Sequence, residues 1–326
     1  MRAAYYEANG AARDVLRLGE VETPSPGPGE VRVRIAASGV NPSDVKAREG
    51  RTRKIAFPRV IPHSDAAGIV DAVGSGVAPG RVGERVWTWN GQWKRAFGTA
   101  AQYIALPEAL AVPLPEPTSF AEGACLGIPA MTAAHAVAVS GLGPGGTALI
   151  SGGAGGVGHY AVQFAKMAGA TVITTVSSED KAKLARAAGA DHVVDYKRDN
   201  VGERVMALTG GRGVDAVIEL DLAANAKLLP GVAHARTTVV VYGTGAMAAD
   251  IPAQFLLTNA ITIRFIFVYE LTPAERAAAL AMIARSLAAR TLLHNVAATF
   301  PLDDIVAAHE AVEHGRVAGN VVVTVA

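Results

Sequence analysis

Along the first third of the chain, apolar and polar residues alternate with period two. In EVRVRIAASG, Val31, Val33 and Ile35 share one face and Arg32 and Arg34 the other, as in a strand with one side in water. Turn-forming clusters recur at PSPGPGE, VGSGVAPGRVGE and LPEPTS. Short strands broken by frequent turns predict a barrel-like or sandwich-like domain.

From about residue 145 the rhythm changes. TALISG reads as a strand, and VGHYAVQFAKMAG as a helix with Val157, Ala161, Ala165 and Ala168 on one face and Gly169 as its stop. TVITTV is the next strand. SSEDKAKLARAAG follows as a helix capped by Ser177 or Ser178, with acids in its first turn. HVVDY, AVIELD, TTVVVYG and AITIRFIFV supply four more strands. Apolar strands alternating with helices predict a parallel sheet covered on both faces, and six strands are what a full dinucleotide-binding domain needs. A long Ala-rich helix is expected around Ala274 to Arg290, and a final strand in NVVVTVA. The tail is too short to fold alone and is expected to return to the first domain.

The glycines sharpen this picture. Gly153, Gly155 and Gly158 fit G-x-G-x-x-G, with a strand before them and a helix after. In that setting the first glycine permits the turn and the second admits a pyrophosphate. The third lets helix and strand pack closely. Backbone N–H groups near Gly156 and Val157 would face the phosphates from the helix N-terminus. NAD sites carry an acid about 20 residues further on. Here the second strand ends in Val176, Ser177 and Ser178, with no carboxylate to repel a 2′-phosphate, and Lys181 lies one turn along. NADP is therefore expected over NAD.

Other chemistries find no support. A single cysteine, Cys125, rules out a disulfide within the chain and a four-cysteine zinc site. The eight histidines show no H-x-x-x-H or H-E-x-x-H spacing, and no G-x-S-x-G elbow occurs. His63, His135 and His159 are expected to be packing or surface residues, and Cys125 a small buried one. No metal is expected. Net charge is +1, so neither a nucleic-acid partner nor a membrane surface is expected. With no signal-peptide core and no apolar run of about 18 residues, a cytoplasmic protein is expected. Hydride transfer needs none of the missing groups, because the cofactor carries the reaction.

Several motifs in order, GVNPSDVKAREG, SDAAGIVDAVGSGV with RVGERV, GIPAMTAAHA, GGAGGVGHYAVQFAKMAGA and HEAVEHGRVAGNVVV, closely resemble the medium-chain dehydrogenase/reductase superfamily. Within it the chain resembles the zinc-free, zeta-crystallin-like quinone oxidoreductases. The resemblance implies an α/β fold, a Rossmann-type doubly wound parallel six-stranded sheet plus a GroES-like β-barrel domain, with NADPH in the cleft between. The expected division is 1–126 for the GroES-like substrate domain, 127–267 for the Rossmann domain, and 268–326 for a segment returning to the first. The zinc-ligand positions of metal-dependent relatives hold Asn41, Ser64 and Ile128, with His63 one place too early.

By the same resemblance, Asn41 and Thr132 would lie near the nicotinamide. Ala154, Gly155, Gly156 and Val157 would hold the pyrophosphate, and Ser177, Lys181 and Tyr196 would surround the adenosine phosphate. The backbone of Tyr242, Gly243, Phe265 and Phe267 would border the nicotinamide. No catalytic residue is identified; Asn41, Lys46, Ser64, Trp87 and Trp89 are candidates for the substrate cleft. Lys46 stands where a cleft tyrosine is common, and Asn320 where a lysine is common. The expected activity is NADPH-dependent quinone reduction. Reduction of an enal or enone double bond is the alternative, with an NADPH-binding crystallin-like or RNA-binding protein of little turnover behind it. The sixth strand, AITIRFIFV, is apolar on both faces, and a homodimer through that edge is expected.

Overall fold

A computed structural model describes residues 1–325. They form two compact units, one of Met1–Pro129 joined by the chain from His294 onward, the other Ala130–Leu293.

The first unit is built on strands. β1 (Arg2–Tyr5) and β2 (Arg17–Glu20) pair antiparallel. β3 (Glu30–Val40), β4 (Asp65–Val73), β5 (Arg85–Thr88), β6 (Tyr103–Pro107) and β7 (Ala111–Pro113) belong to a second sheet. Val31, Val33 and Ile35 of β3 are buried, as the alternation predicts, and Arg32 crosses to Asp71 of β4 with two bonds of 2.9 and 3.0 Å. β3 is long enough to change partners. Its first half lies between β4 and β6, and its last residues pair with a strand from the end of the chain. That exchange curls the sheet around a core that includes Val70, Val86, Ile104 and Leu106.

In the second unit, β8 (Thr147–Ile150), β9 (Thr171–Val176), β10 (His192–Asp195), β11 (Val214–Glu219), β12 (Ala233–Val241) and β13 (Thr262–Phe265) form one parallel sheet. The order is β10-β9-β8-β11-β12-β13. The strand order reverses between β8 and β11, and in such sheets ligands bind beyond the carboxyl ends of the strands at that point. The helix Gly156–Met167 leaves β8 there. The one-face pattern expected for it is too narrow: Tyr160, Val162 and Phe164 are buried as well, because the helix Met131–Val139 packs on it. Between the two serines, Ser178 is the cap of the next helix, accepting from Lys181 N.

The two units depart from the expected division at two places. The helix Pro273–Ala288 belongs to the second unit, so the returning segment begins at His294 and not at 268. Thr272 and Glu275 form a capping box around Pro273, which starts the helix. Its apolar positions Ala279, Ile283 and Leu287 are buried, and it packs on the helix Met131–Val139. Likewise Gly127–Pro129 fall in the first unit. The returning chain adds β14 (Val296–Pro301), the helix Ile305–Glu313 and β15 (Asn320–Thr324), which pairs with β3. Among the described residues, no helix is long and apolar enough to cross a membrane.

Candidate functional site

The glycine turn is held by side chains behind it. Ser151, following β8, donates to Glu219 Oε2 at 2.6 Å, and Glu219 Oε1 accepts from Asp221 N and Asn225 Nδ2. Gly152 N donates to Thr175 Oγ1 at 3.2 Å, and Thr174 Oγ1 to Ile150 O at 2.6 Å. A Cβ on Gly153 would collide with Thr174, and one on Gly158 with the Gly152 carbonyl. These are the close approaches that the motif requires.

Gly155 differs. A Cβ there meets only Gly152 O, at 3.2 Å, and the residue caps the helix with φ −77° and ψ 169° but without a side chain. The first N–H groups of a helix lack partners within it, and here no side-chain cap supplies one. A diphosphate fits that chemistry. Ala154, Gly155, Gly156 and Val157 all lie at this turn, Ala154 buried.

One strand over, beyond β9, Lys181 Nζ donates to Ser177 Oγ at 3.0 Å. The two acids of that helix's first turn are engaged elsewhere, Glu179 with Arg186 and Asp180 with Lys183. Tyr196, half exposed, follows β10 and bonds back to Val176 O. Ser177, Lys181 and Tyr196 thus gather at the carboxyl ends of β9 and β10. Tyr242 and Gly243 follow β12, with Tyr242 N bonded to Glu219 O at 3.1 Å. The backbone at Phe265 and Ile266 lies against Val241, while the Phe265 and Phe267 rings are exposed. Thr132 is buried at the start of its helix.

The first unit carries a second polar centre. Asn41 is the cap of the helix Pro42–Glu49, with Pro42 at the first position and Asp44 Oδ2 accepting from Asn41 N at 2.8 Å. Its Nδ2 donates to Asp65 Oδ2 at 2.8 Å, and Ile128 N donates to the same oxygen at 2.8 Å. Asp65 Oδ1 is buried without a partner. Burial, with Asp44 nearby, holds the Asp65 carboxyl well above the usual carboxylate range. Sequence reasoning missed Asp65 altogether.

A zinc ion does not fit this centre. Asn41 spends its amide on Asp65, Ile128 offers a backbone donor, and Ser64 is buried. His63, of left-handed backbone (φ 74°), bonds Ser38 Oγ through Nδ1 and His309 Nε2 through Nε2, both at 2.9 Å. It is a packing residue whose burial pushes it down to about 3.

Trp87 and Trp89 are 1% and 2% exposed. Trp87 sits on β5, paired with Ala67 of β4 and Val112 of β7. Trp93 instead lies on the following loop, with Arg53 over its ring at 5.3 Å. Lys46 is half-buried in the last turn of its helix.

Asp44 makes a measurable demand on pH. Burial raises its carboxyl to about 7, against the bond from Asn41 and the pull of Arg53. In the unfolded chain it titrates near about 4. Between those values the folded state binds more protons, so stability falls as pH rises. Asp44→Asn should therefore gain stability over wild type by about 3 kcal/mol between about pH 4 and about pH 7. Urea unfolding at both pH values measures this, and a pH-independent difference would contradict it.

A doubly wound parallel sheet with a glycine turn, joined to a β unit of this kind, defines the class: a medium-chain dehydrogenase/reductase. Residues 27–116 match the alcohol dehydrogenase GroES-like domain, and 156–285 match the family described as zinc-binding dehydrogenase. The chain is 30% identical to the mouse (Mus musculus) quinone oxidoreductase over 311 residues, 93% of this chain and 91% of the relative. It belongs to the quinone oxidoreductase family of that superfamily. A 2-haloacrylate reductase of a Burkholderia species is 37% identical over 205 residues, 61% of this chain and 60% of that protein. A mycobacterial structure complexed with NADPH superposes with a TM-score of 0.86 at 29% identity, covering 99% of each chain.

Proposed function

We propose that this chain is an NADPH-dependent, zinc-independent oxidoreductase that reduces a quinone. One observation carries the reading: a helix start capped by a bare glycine stands beside a Ser177–Lys181 pair with no carboxylate engaged there. The family's mouse relative and the mycobacterial complex support it. Ala154 to Val157 would hold the pyrophosphate, and Ser177, Lys181 and Tyr196 the 2′-phosphate. Tyr242, Gly243, Phe265 and Phe267 would border the nicotinamide, and the contacts expected of Asn41 and Thr132 belong to the same proposal. Bound NADPH supplies the hydride. The protein orients it, and a proton from water completes the hydroquinone.

The likeness to a 2-haloacrylate reductase keeps one second reading, delivery of hydride to a conjugated double bond. NADPH consumption with 1,2-naphthoquinone against 2-alkenals separates them. Faster turnover of the quinone is expected, and turnover of alkenals alone would reverse the order. Tight NADPH binding without turnover on either would favour a binding protein.

A homodimer through β13 and a cytoplasmic location complete the proposal. β13 is an edge strand, and its Phe265 is 69% exposed. Light scattering on the eluted protein should give the dimer mass; a monomer throughout would contradict it.

A further inference from the structure

The segment KAREGRTRKIAFPR, residues 46–59, carries six cations, Lys46, Arg48, Arg51, Arg53, Lys54 and Arg59, against one acid, Glu49. Arg48, Arg51 and Arg59 have carboxylate partners. Arg48 pairs with Glu313 at 2.7 Å, Arg51 with Glu49 at 3.5 Å, and Arg59 with Glu7 at 2.7 Å. Arg53 does not. Its guanidinium is half-buried, lies over Trp93, and gives its one hydrogen bond to the neutral Oε1 of Gln92.

Gln92 holds that arrangement firmly. It is buried, and its Nε2 donates to Arg95 O at 2.8 Å. The loop it sits on is tied to Ser64, through Gly91 N to Ser64 O at 2.9 Å. Exposed Lys54 follows Arg53, with no ion-pair partner among the described residues. Arg53 also acts on Asp44, the residue that accepts from Asn41 N. Asp44 does not neutralise it, since burial keeps that carboxyl largely protonated below about 7.

A guanidinium has five N–H donors in a planar fork suited to carboxylates and other oxyanions. Holding one partly out of water, with a single neutral acceptor, costs solvation that no ion pair in the chain returns. The aromatic ring offsets part of that cost. We propose that the acceptor reduced by this protein carries an anionic group, a carboxylate or sulfonate, which binds Arg53 beside Trp93. This rests on the reductase reading above and names its substrate class.

The test uses the full chain with NADPH and two acceptors, 1,2-naphthoquinone-4-sulfonate and 1,2-naphthoquinone. The quantity read is the ratio of their kcat/KM values, and its change between variants removes the intrinsic difference in reactivity. Arg53→Met should lower the ratio by about tenfold, the loss expected of one charge-assisted contact. Arg53→Lys should recover part of it, because the charge returns without the fork. In the wild type, added salt should lower the ratio, and this holds even if the variants fold poorly. A ratio unmoved by salt and by both variants overturns the inference and leaves quinone reduction standing. Failure of both acceptors to consume NADPH overturns the reductase reading and this inference with it.

Discussion

Replacing Gly155 with aspartate should weaken NADPH binding at least about 100-fold, since a carboxylate would stand where the diphosphate is expected. The fold should tolerate the change. Gly155 has a backbone that any residue adopts, and a Cβ there meets only one carbonyl oxygen at 3.2 Å. Aspartate is also a favoured helix cap and would satisfy the N–H groups that the glycine leaves without a side-chain partner. The unfolding midpoint should therefore stay within about 3 °C of wild type. Calorimetric titration together with thermal unfolding measures both. Unchanged affinity in a folded Gly155→Asp protein would remove the turn from the binding site.

The largest effect on stability is expected at Arg48. Its side chain is fully buried, donating to Gly10 O and Glu313 Oε2, both at 2.7 Å, and lying 3.8 Å from Glu49. It joins the amino-terminal loop, the helix Pro42–Glu49 and the returning helix Ile305–Glu313. Glu49 and Glu313 both flank this guanidinium, so removing the cation leaves two carboxyl groups near each other without it. Arg48→Met should cost about 4 kcal/mol. Adding Glu313→Gln should restore at least about half, because the excess negative charge is then gone. Denaturant unfolding of the single and double variants checks this, and simple additivity of the two losses would count against it.

Period and punctuation carried most of the fold. The strands from TALISG to AITIRFIFV are all present, because each pairs an apolar run with a flanking turn or cap. The glycine turn was legible for the same reason, with local backbone demands written into local residues. Long-range partners were not. The amphipathic face Ala279, Ile283, Leu287 announces a buried helix, but nothing local says that it packs on Met131–Val139. Trp87 and Trp89 stand as cleft candidates in the sequence, but nothing local says that both are buried. Asp65, in a segment that reads SDAAG, gave no sign that it would meet Asn41 and Ile128 from distant parts of the chain. Arg53 was likewise one basic residue among six until Arg48, Arg51 and Arg59 were found paired with carboxylates and it was found on Gln92.

Calorimetric titration of the purified chain with NADPH, and with NADH in parallel, tests the central claim most directly. The account predicts saturable, stoichiometric binding of NADPH, with NADH bound more weakly and Lys181→Ala narrowing the gap between them. No saturable heat with either dinucleotide would contradict it.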